Sequence, residues 1–272
     1  MAESRKTSEG AANGRSAGGT SRRRRILLSI LVLAAAGLVA AALLLLRREL
    51  FTGNPRLVLR DIRVRSTGYW RDRENRLCER IGLKKGVNLY ALDLRMFRRR
   101  LENIPGIASA EVFRVPPDTI EMRIEERIPR AVLGNPRSPF VIDEHCVVIP
   151  RQESIAEKLQ LPIVNGIPFR LRPGATVPRL QNAVDLIMTT LRGFPDIRIL
   201  QISVARAGFL ELRLTYRENL LGKTLYRVIV PDRETGNAFR LSALQSAIIA
   251  AHRRGDTRTV FDLSYEGQVV VR

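Results

Sequence analysis

The sequence has few of the residues that most often carry chemistry. Its 272 residues include two cysteines, Cys78 and Cys146, and two histidines. Two cysteines are too few for a small fold held by disulfides, and they lack the spacing of a structural zinc site. The chain also lacks a glycine-rich phosphate loop, an HExxH helix and a GxSxG turn. We therefore expect no enzyme activity, no small-molecule substrate, no metal and no cofactor.

The neighbouring residues His145 and Cys146 are the nearest approach to a catalytic pair. Both are expected on a strand, where adjacent side chains point to opposite faces. They cannot then form a thiolate–imidazole pair, and Cys146 is expected to be a buried structural residue. Cys78 falls in a different predicted domain, which disfavours a disulfide between the two cysteines.

Acidic residues are scarce relative to basic ones. The chain carries 46 lysines and arginines against 27 aspartates and glutamates, which gives a net charge of +19. Only five of the basic residues are lysines, a ratio that favours arginine-rich codon usage over selection for one ligand. A positive field nevertheless attracts lipid headgroups and nucleic acid alike, so composition alone leaves an anionic partner open.

One long apolar run decides the broad class of the protein. Residues 26–46 carry no charge, and Ser29 is the only polar side chain among them. A helix of this length covers about 30 Å, the thickness of a bilayer core. The run continues through Leu46, past the small residues Ala40–Ala42, so an uncleaved anchor is favoured over a cleaved signal. We predict one transmembrane helix at residues 26–46.

The orientation of this helix does not follow from a charge count. Six basic residues lie in Lys6–Arg25 and six in Arg47–Ser66. Because Arg22–Arg25 abut the helix and a long folded region follows it, we predict a cytoplasmic N-terminus and an extracytoplasmic, periplasmic C-terminal part. Residues 1–25 are then a disordered basic tail, residues 47–56 a juxtamembrane linker, and nucleic acid is not expected as a partner.

Residues 57–128 predict the order strand, helix, helix, strand, strand. The first strand is indicated by Leu57, Leu59, Ile62 and Val64, and the first helix by Leu77 and Ile81. Asp93 is placed to cap the second helix. The apolar residues of that helix follow helical spacing, namely Leu94, Phe97, Leu101 and Ile104. Two strands follow, at residues 108–114 and 119–126, around a turn at residues 116–118.

Residues 129–272 predict a mixed, mostly antiparallel β domain with two helices. One helix has Leu180, Val184, Ile187 and Leu191 on a single face, and the other covers about Ser242–His252. Strands are indicated by alternating apolar residues, among them Leu200, Ile202 and Val204, and by a final run at Gln268–Arg272. The predicted fold class is therefore α+β, preceded by a single-pass membrane anchor.

Four short motifs occur in a specific order. They are the run from Pro105 to Ile120, the ERIPRA sequence of residues 126–131, the LPIVNG sequence of residues 161–166 and the DLSYEG sequence of residues 262–267. Each is weak alone, but together they resemble the bacterial division proteins of the FtsQ/DivIB type. In that family a single membrane helix precedes a POTRA module and a C-terminal β domain.

The resemblance implies a non-enzymatic scaffold that recruits other division proteins to the septum. It further implies that the C-terminal β region contacts a small bitopic coiled-coil pair. The main alternative is a membrane-anchored POTRA protein for polypeptide transport or outer-membrane assembly, which the single module and the absence of a barrel array disfavour. A membrane-tethered hydrolase is disfavoured by the missing nucleophile and base.

Two surfaces are candidate contact sites. The last strand is uncharged and β-prone, so its edge is expected to accept a partner's strand unless it is already paired on both sides. The partner-binding residues predicted there are Tyr265, Glu266, Gly267, Gln268, Val269, Val270 and Val271. A basic cluster on the second POTRA helix is either a solvated face or a contact to anionic lipid or a division protein. It comprises Arg95, Arg98, Arg99 and Arg100.

Overall fold

The computed structural model describes residues 19–47, 54–168, 170–217, 224–233, 235–265 and 267–272. The chain forms two units, Met1–Leu57 and Val58–Arg272. Most of the predicted tail, residues 1–18, and most of the predicted linker, residues 48–53, lie outside the described residues.

The first unit contains helix α1, Gly19–Arg47. Within it, Leu28–Leu46 are long and apolar enough to cross a membrane, and their side chains are exposed. Because a helix satisfies its own backbone hydrogen bonds, an apolar helix of this length is suited to lipid. The helix agrees with the anchor predicted at residues 26–46.

The second unit begins with a three-stranded sheet and two helices. Its elements are β1 (Asp61–Arg65), α2 (Glu74–Ile81), α3 (Leu94–Glu102), β2 (Ile107–Val115) and β3 (Thr119–Glu126). The strand order is β1-β3-β2, with β1 parallel and β2 antiparallel to β3. The predicted order of strand, helix, helix, strand and strand is therefore confirmed.

The helices cover the sheet through a continuous apolar core that includes Trp70, Leu77, Leu101 and Met122. Asp93 caps α3 as predicted, because its Oδ1 accepts a hydrogen bond from the amide of Arg95 at 2.9 Å. The first strand starts later than predicted. Leu59 exchanges hydrogen bonds with the loop at Gly86 and Val87 instead of a sheet neighbour, so the ladder begins only at Asp61.

A nine-stranded sheet follows in the same unit. Its strands are β4 (Ala131–Leu133), β5 (Phe140–Ile142), β6 (Val148–Pro150), β7 (Ile163–Asn165), β8 (Ile197–Ser203), β9 (Phe209–Tyr216), β10 (Leu225–Pro231), β11 (Val260–Asp262) and β12 (Val270–Val271). Their order is β12-β11-β10-β9-β8-β7-β4-β5-β6. Three neighbouring pairs are parallel and the other five are antiparallel, so the mixed, mostly antiparallel sheet is confirmed.

Two helices, α4 (Gln181–Gly193) and α5 (Asn237–Arg253), pack against each other. Both contribute buried apolar residues to the larger core of the nine-stranded sheet, which we call the main core. Helix α5 begins more than a turn before the predicted Ser242. Strand β8 contains an irregularity between Ile199 and Gln201, so Leu200 is exposed instead of following Ile202 into the core. Leu191 was expected on the buried face of α4 but is exposed, because it lies in the last helical turn where no described element covers it.

The glycine of the LPIVNG motif, Gly166, is explained by the lack of space for a side chain at its position. Gly166 directly follows β7 and has a φ of +77°, a conformation that strains most side chains. A Cβ atom at this position would lie 2.7 Å from the backbone nitrogen of Ala205. The glycine therefore allows the segments that follow β7 and β8 to approach each other closely.

Candidate interaction surfaces

Strand β12 lies at one end of the nine-stranded sheet. It pairs with β11 through Phe261 opposite Val271 and Asp262 opposite Val270, and the Arg272 amide donates to the Val260 carbonyl at 2.9 Å. Among the described residues, no strand lies on its other side. The strand is shorter than the predicted Gln268–Arg272, because only Val270 and Val271 have strand geometry.

The pairing determines which backbone groups face the open side. In an antiparallel ladder, residues that bond to the neighbouring strand alternate with residues whose amide and carbonyl point away from it. Because Arg272 bonds to β11, the amide and carbonyl of Val271 point to the open side. The Val271 carbonyl accepts a hydrogen bond from Arg258 Nη1 at 3.1 Å. The Val271 side chain packs partly against the main core, which orients the strand.

The segment between β11 and β12 is held by Asp262. Its Oδ1 accepts hydrogen bonds from the amide of Ser264 at 3.0 Å and from the Ser264 hydroxyl, and its Oδ2 lies 3.3 Å from Arg272 Nη2. Burial raises the pKa of Asp262, but the hydrogen bonds from Ser264 and the charge of Arg272 outweigh it and leave the pKa below its ordinary value. Of the predicted partner-binding residues, Tyr265 is exposed and Glu266 lies outside the described residues.

A cavity of about 550 Å³ adjoins this segment and was not predicted. It is lined by Leu263–Tyr265, Gly267–Val269, the end of β10 and the first turns of α5. Phe239 is 68% exposed on its rim. The exposure of Phe239 could have been predicted from the sequence, since this large aromatic residue lies outside the apolar stripe of α5. It was missed because the helix was predicted to start at Ser242.

The basic cluster of α3 is partly engaged inside the protein. Arg98 pairs with Glu102 at 2.8 Å, and Arg100 Nη1 donates to the Ile81 carbonyl at the end of α2 at 2.6 Å. Arg95 and Arg99 are exposed and have no ion-pair partner among the described residues. Their contact with lipid or with a division protein stays a prediction.

The cysteines lie in separate cores and are free thiols. His145 and Cys146 occupy the turn between β5 and β6, not a strand as predicted, and Cys146 adopts a positive φ of 58°. The pair is nonetheless separated, since His145 is exposed and Cys146 is buried with its Sγ 3.3 Å from Gln181 Oε1. Burial, with the charges of Asp143 and Asp185, raises the pKa of Cys146 to about 12.

Comparison with known proteins identifies the first folded region. Residues 60–127 match the family model of the POTRA domain, FtsQ-type. The chain contains an FtsQ-type POTRA domain. This match coincides with the sheet β1-β3-β2 and its two helices, and the resemblance that the sequence motifs predicted is confirmed.

Three curated relatives carry the name cell division protein FtsQ. The protein of Syntrophotalea carbinolica is 37% identical over 84 residues, which cover 30% of this chain and 28% of the relative. That of Koribacter versatilis is 30% identical over 80 residues, or 29% of this chain and 23% of the relative. That of Myxococcus fulvus is 29% identical over 154 residues, or 55% of this chain and 52% of the relative. The matches thus span from about a quarter to about half of the relatives' lengths.

Proposed function

We propose that the chain is a bitopic membrane scaffold, without catalytic activity, that recruits other division proteins to the septum. The observation that carries this proposal is the FtsQ-type POTRA domain in the same chain as an apolar helix suited to a bilayer. The three relatives named as division proteins support it. In this arrangement the N-terminal tail is cytoplasmic, and the region from β1 onward lies in the periplasm.

Imaging in dividing cells tests the cellular role. A fluorescent protein fused to the N-terminus leaves the β12 edge unobstructed. We expect a band of fluorescence at mid-cell that appears before constriction. A uniform signal around the envelope would contradict the division role and would favour the transport alternative.

We further propose that a partner strand adds to the open side of β12. Main-chain hydrogen bonds would supply affinity, and every second side chain of the added strand would determine which partner binds. The uncharged sequence of β12 supports this use, because edge strands that avoid partners commonly carry charges or proline. The partner we propose is a small bitopic coiled-coil pair of the division apparatus.

The edge can be tested without dismantling the strand. Val271→Pro removes an amide that faces the open side, whereas the bonds to β11 come from Val270 and Arg272. We expect the purified full chain to lose about tenfold in affinity for the co-expressed coiled-coil pair, the effect of one lost interface hydrogen bond plus the bulk of the ring. Deletion of Gln268–Arg272 should abolish capture altogether.

Val271→Ala is the matched control, because it shortens the side chain but keeps the amide. It should bind the pair within about twofold of the unmodified chain. Equal binding by the proline and alanine variants, or undiminished capture by the deletion, would refute strand addition. Insertion into the membrane should be the same for all variants.

A further inference from the structure

A carbonyl on the open side of β12 already has a hydrogen-bond donor within the protein. Val271 directs its amide and carbonyl to this side, away from β11. Arg258 Nη1 donates to the Val271 carbonyl oxygen at 3.1 Å. The amide nitrogen of an added strand would have to come within about 2.9–3.0 Å of the same oxygen. A side chain therefore stands at the distance that the proposed partner strand needs for its own amide.

The guanidinium group of Arg258 is fixed by Asp256. Arg258 Nε donates to Asp256 Oδ1 at 2.9 Å, and Nη2 donates to Oδ2 at 2.6 Å. The Arg258 amide also donates to Oδ1, at 3.0 Å. A two-point contact of this kind sets the plane of the guanidinium group. It leaves Nη1 as the nitrogen that reaches Val271, so Asp256 acts on the β12 edge through Arg258.

The positive charge at the open side comes from outside β12. Arg272, which directly follows the strand, has its Nη2 3.3 Å from Asp262 Oδ2. Charged side chains are a common means by which proteins keep open edges from pairing. The Arg258 side chain is 57% exposed, so water can solvate its guanidinium group when the bond to Val271 is broken. Protection of this kind is reversible, unlike a proline within the strand.

We propose that Arg258 competes with incoming strands for the Val271 carbonyl. It occupies the carbonyl when no partner is bound and releases it when a partner strand adds to β12. This proposal rests on the strand addition proposed above and specifies how that site is regulated. Because every incoming strand must displace a charged donor, a strand that offers main-chain hydrogen bonds alone binds weakly. A partner whose side chains make further contacts overcomes this cost, which favours the correct partner over other extended segments.

An uncharged strand peptide tests the competition without reference to any particular partner. The probe is the end-blocked peptide Gly-Gln-Val-Val-Val-Gln, which copies residues 267–271 and carries an uncharged fluorophore. The full chain is held in nanodiscs of phosphatidylcholine, and binding is measured by fluorescence anisotropy. We expect Arg258→Leu to bind the probe about fivefold more tightly than the unmodified chain, the effect of one displaced hydrogen bond. Equal or weaker binding by Arg258→Leu would overturn the proposal.

A second peptide separates strand pairing from simple apolar contact with the new leucine. It has proline in place of the middle valine, which removes a main-chain donor and disfavours the strand. Arg258→Leu should not improve binding of this peptide. An equal gain for the two peptides would contradict competition for the carbonyl. The sign of the effect also excludes a merely structural role, because an arginine that only held β12 in place would weaken probe binding when removed.

Two further variants test how Arg258 is held. Asp256→Asn weakens the two-point contact and should improve probe binding about twofold, whereas the double variant should bind as Arg258→Leu alone does. Arg63→Leu is the matched control. Arg63 pairs with Asp61 two residues earlier, at 3.1 Å, and its side chain is 60% exposed. This control should bind the probe as the unmodified chain does, and a gain equal to that of Arg258→Leu would contradict the assignment.

Capture of the co-expressed coiled-coil pair distinguishes this proposal from the proposed function. Failure of the unmodified chain to capture the pair would refute the proposed partner but leave the probe measurement decisive for Arg258. If the pair is captured, Arg258→Leu should capture at least as much, and weaker capture would overturn the competition. Buried Cys78 and Cys146, unreactive to maleimide, verify that each variant is folded.

Discussion

The two edges of the nine-stranded sheet are protected differently. Along the outer side of β6, the Val148 amide donates to the Ala175 carbonyl at 2.9 Å, and the Gly174 amide donates to the Val148 carbonyl at 2.8 Å. Strand β6 also ends at Pro150, which has no amide hydrogen to offer. At the other end of the sheet, no described segment runs along the outer side of β12.

Strand length does not explain this difference, since β6 has three residues and β12 has two. What separates the edges is whether the main chain returns along them, since β6 is bonded by the backbone of Gly174 and Ala175. At β12 the Arg258 side chain bonds to the Val271 carbonyl, but no described main-chain segment pairs with that edge. An edge that is covered from within has no groups left for a partner, whereas an open edge can template a further strand. The comparison therefore shows that β12, and not β6, is the edge on which the described main chain leaves room for a further strand.

A buried charge should separate the edges most strongly. Val148→Lys places an ammonium group at a fully buried position, and we expect it to destabilise the fold by about 3–5 kcal/mol. Val270→Lys adds the same group to a partly exposed position of β12 and should cost less than about 1 kcal/mol. Similar losses of stability in the two variants would contradict the claim that β6 is a covered edge and β12 an open one.

Cys146 supplies the measurement. Its thiol is buried and its pKa is raised to about 12, so it reacts with maleimide only when the main core opens. The rate of labelling in a urea series gives the free energy of opening. Cys78, in the POTRA core, serves as the internal control and should change its rate less in both variants.

A smaller contrast is expected between two aspartates, one near each edge. Asp143 Oδ2 accepts from Arg127 Nη1 at 2.8 Å, and its Oδ1 accepts from the amides of His145 and Val147. Asp262 plays the corresponding part beside β12, with Ser264 and Arg272 as its partners. The cations differ in exposure, at 19% for the Arg127 side chain and 59% for that of Arg272.

Replacement of each aspartate by alanine tests this contrast. Asp143→Ala leaves a largely buried arginine unpaired and should cost about 3 kcal/mol, measured by Cys146 labelling. Asp262→Ala leaves an arginine that water can solvate and should cost about 1 kcal/mol. If Asp262→Ala were the more damaging change, β12 would be more important to the fold than its position at an open edge suggests.

The elements that could be predicted from the sequence are those set by local periodicity. The POTRA helices and the two strands β2 and β3 follow from apolar spacing, the cap at Asp93 and the prolines between the strands. The first strand was placed too early because Leu59 is buried by a loop and not by a ladder. That distinction depends on the hydrogen bonds of Leu59 with Gly86 and Val87, which no local pattern records.

The covering of β6 and the exposure of Leu191 could not be predicted for a related reason. Gly174 and Val148 are distant in sequence, and Leu191 is exposed because no described element covers it. An apolar residue that lines an open groove has the same periodic signal as one in a core, so Leu191 was assigned to the buried face. A strand near Gln268–Arg272 could be predicted because an uncharged, β-prone run is a local signal, although only Val270 and Val271 have strand geometry.

The smallest expected effect is a loosening of β12 at low pH. The hydrogen bonds and charge of Arg258 lower the pKa of Asp256 to about 2, and Arg258 also holds the Val271 carbonyl. The pKa of Asp262 is lowered as well. A carboxylate whose folded pKa lies below its unfolded value of about 3.9 stabilises the fold above that value and loses this effect as pH falls through the folded pKa. We therefore expect amide protection of residues 267–272 to be constant from pH 7 to about 4 and to decline toward pH 2.

Hydrogen exchange read by mass spectrometry, corrected for the intrinsic rate at each pH, measures this protection. Asp256→Asn removes one of the titrating groups, so it should show weaker protection already at neutral pH and a shallower decline. Protection that stayed constant down to pH 2 in the unmodified chain would show that these carboxylates do not hold β12 in place.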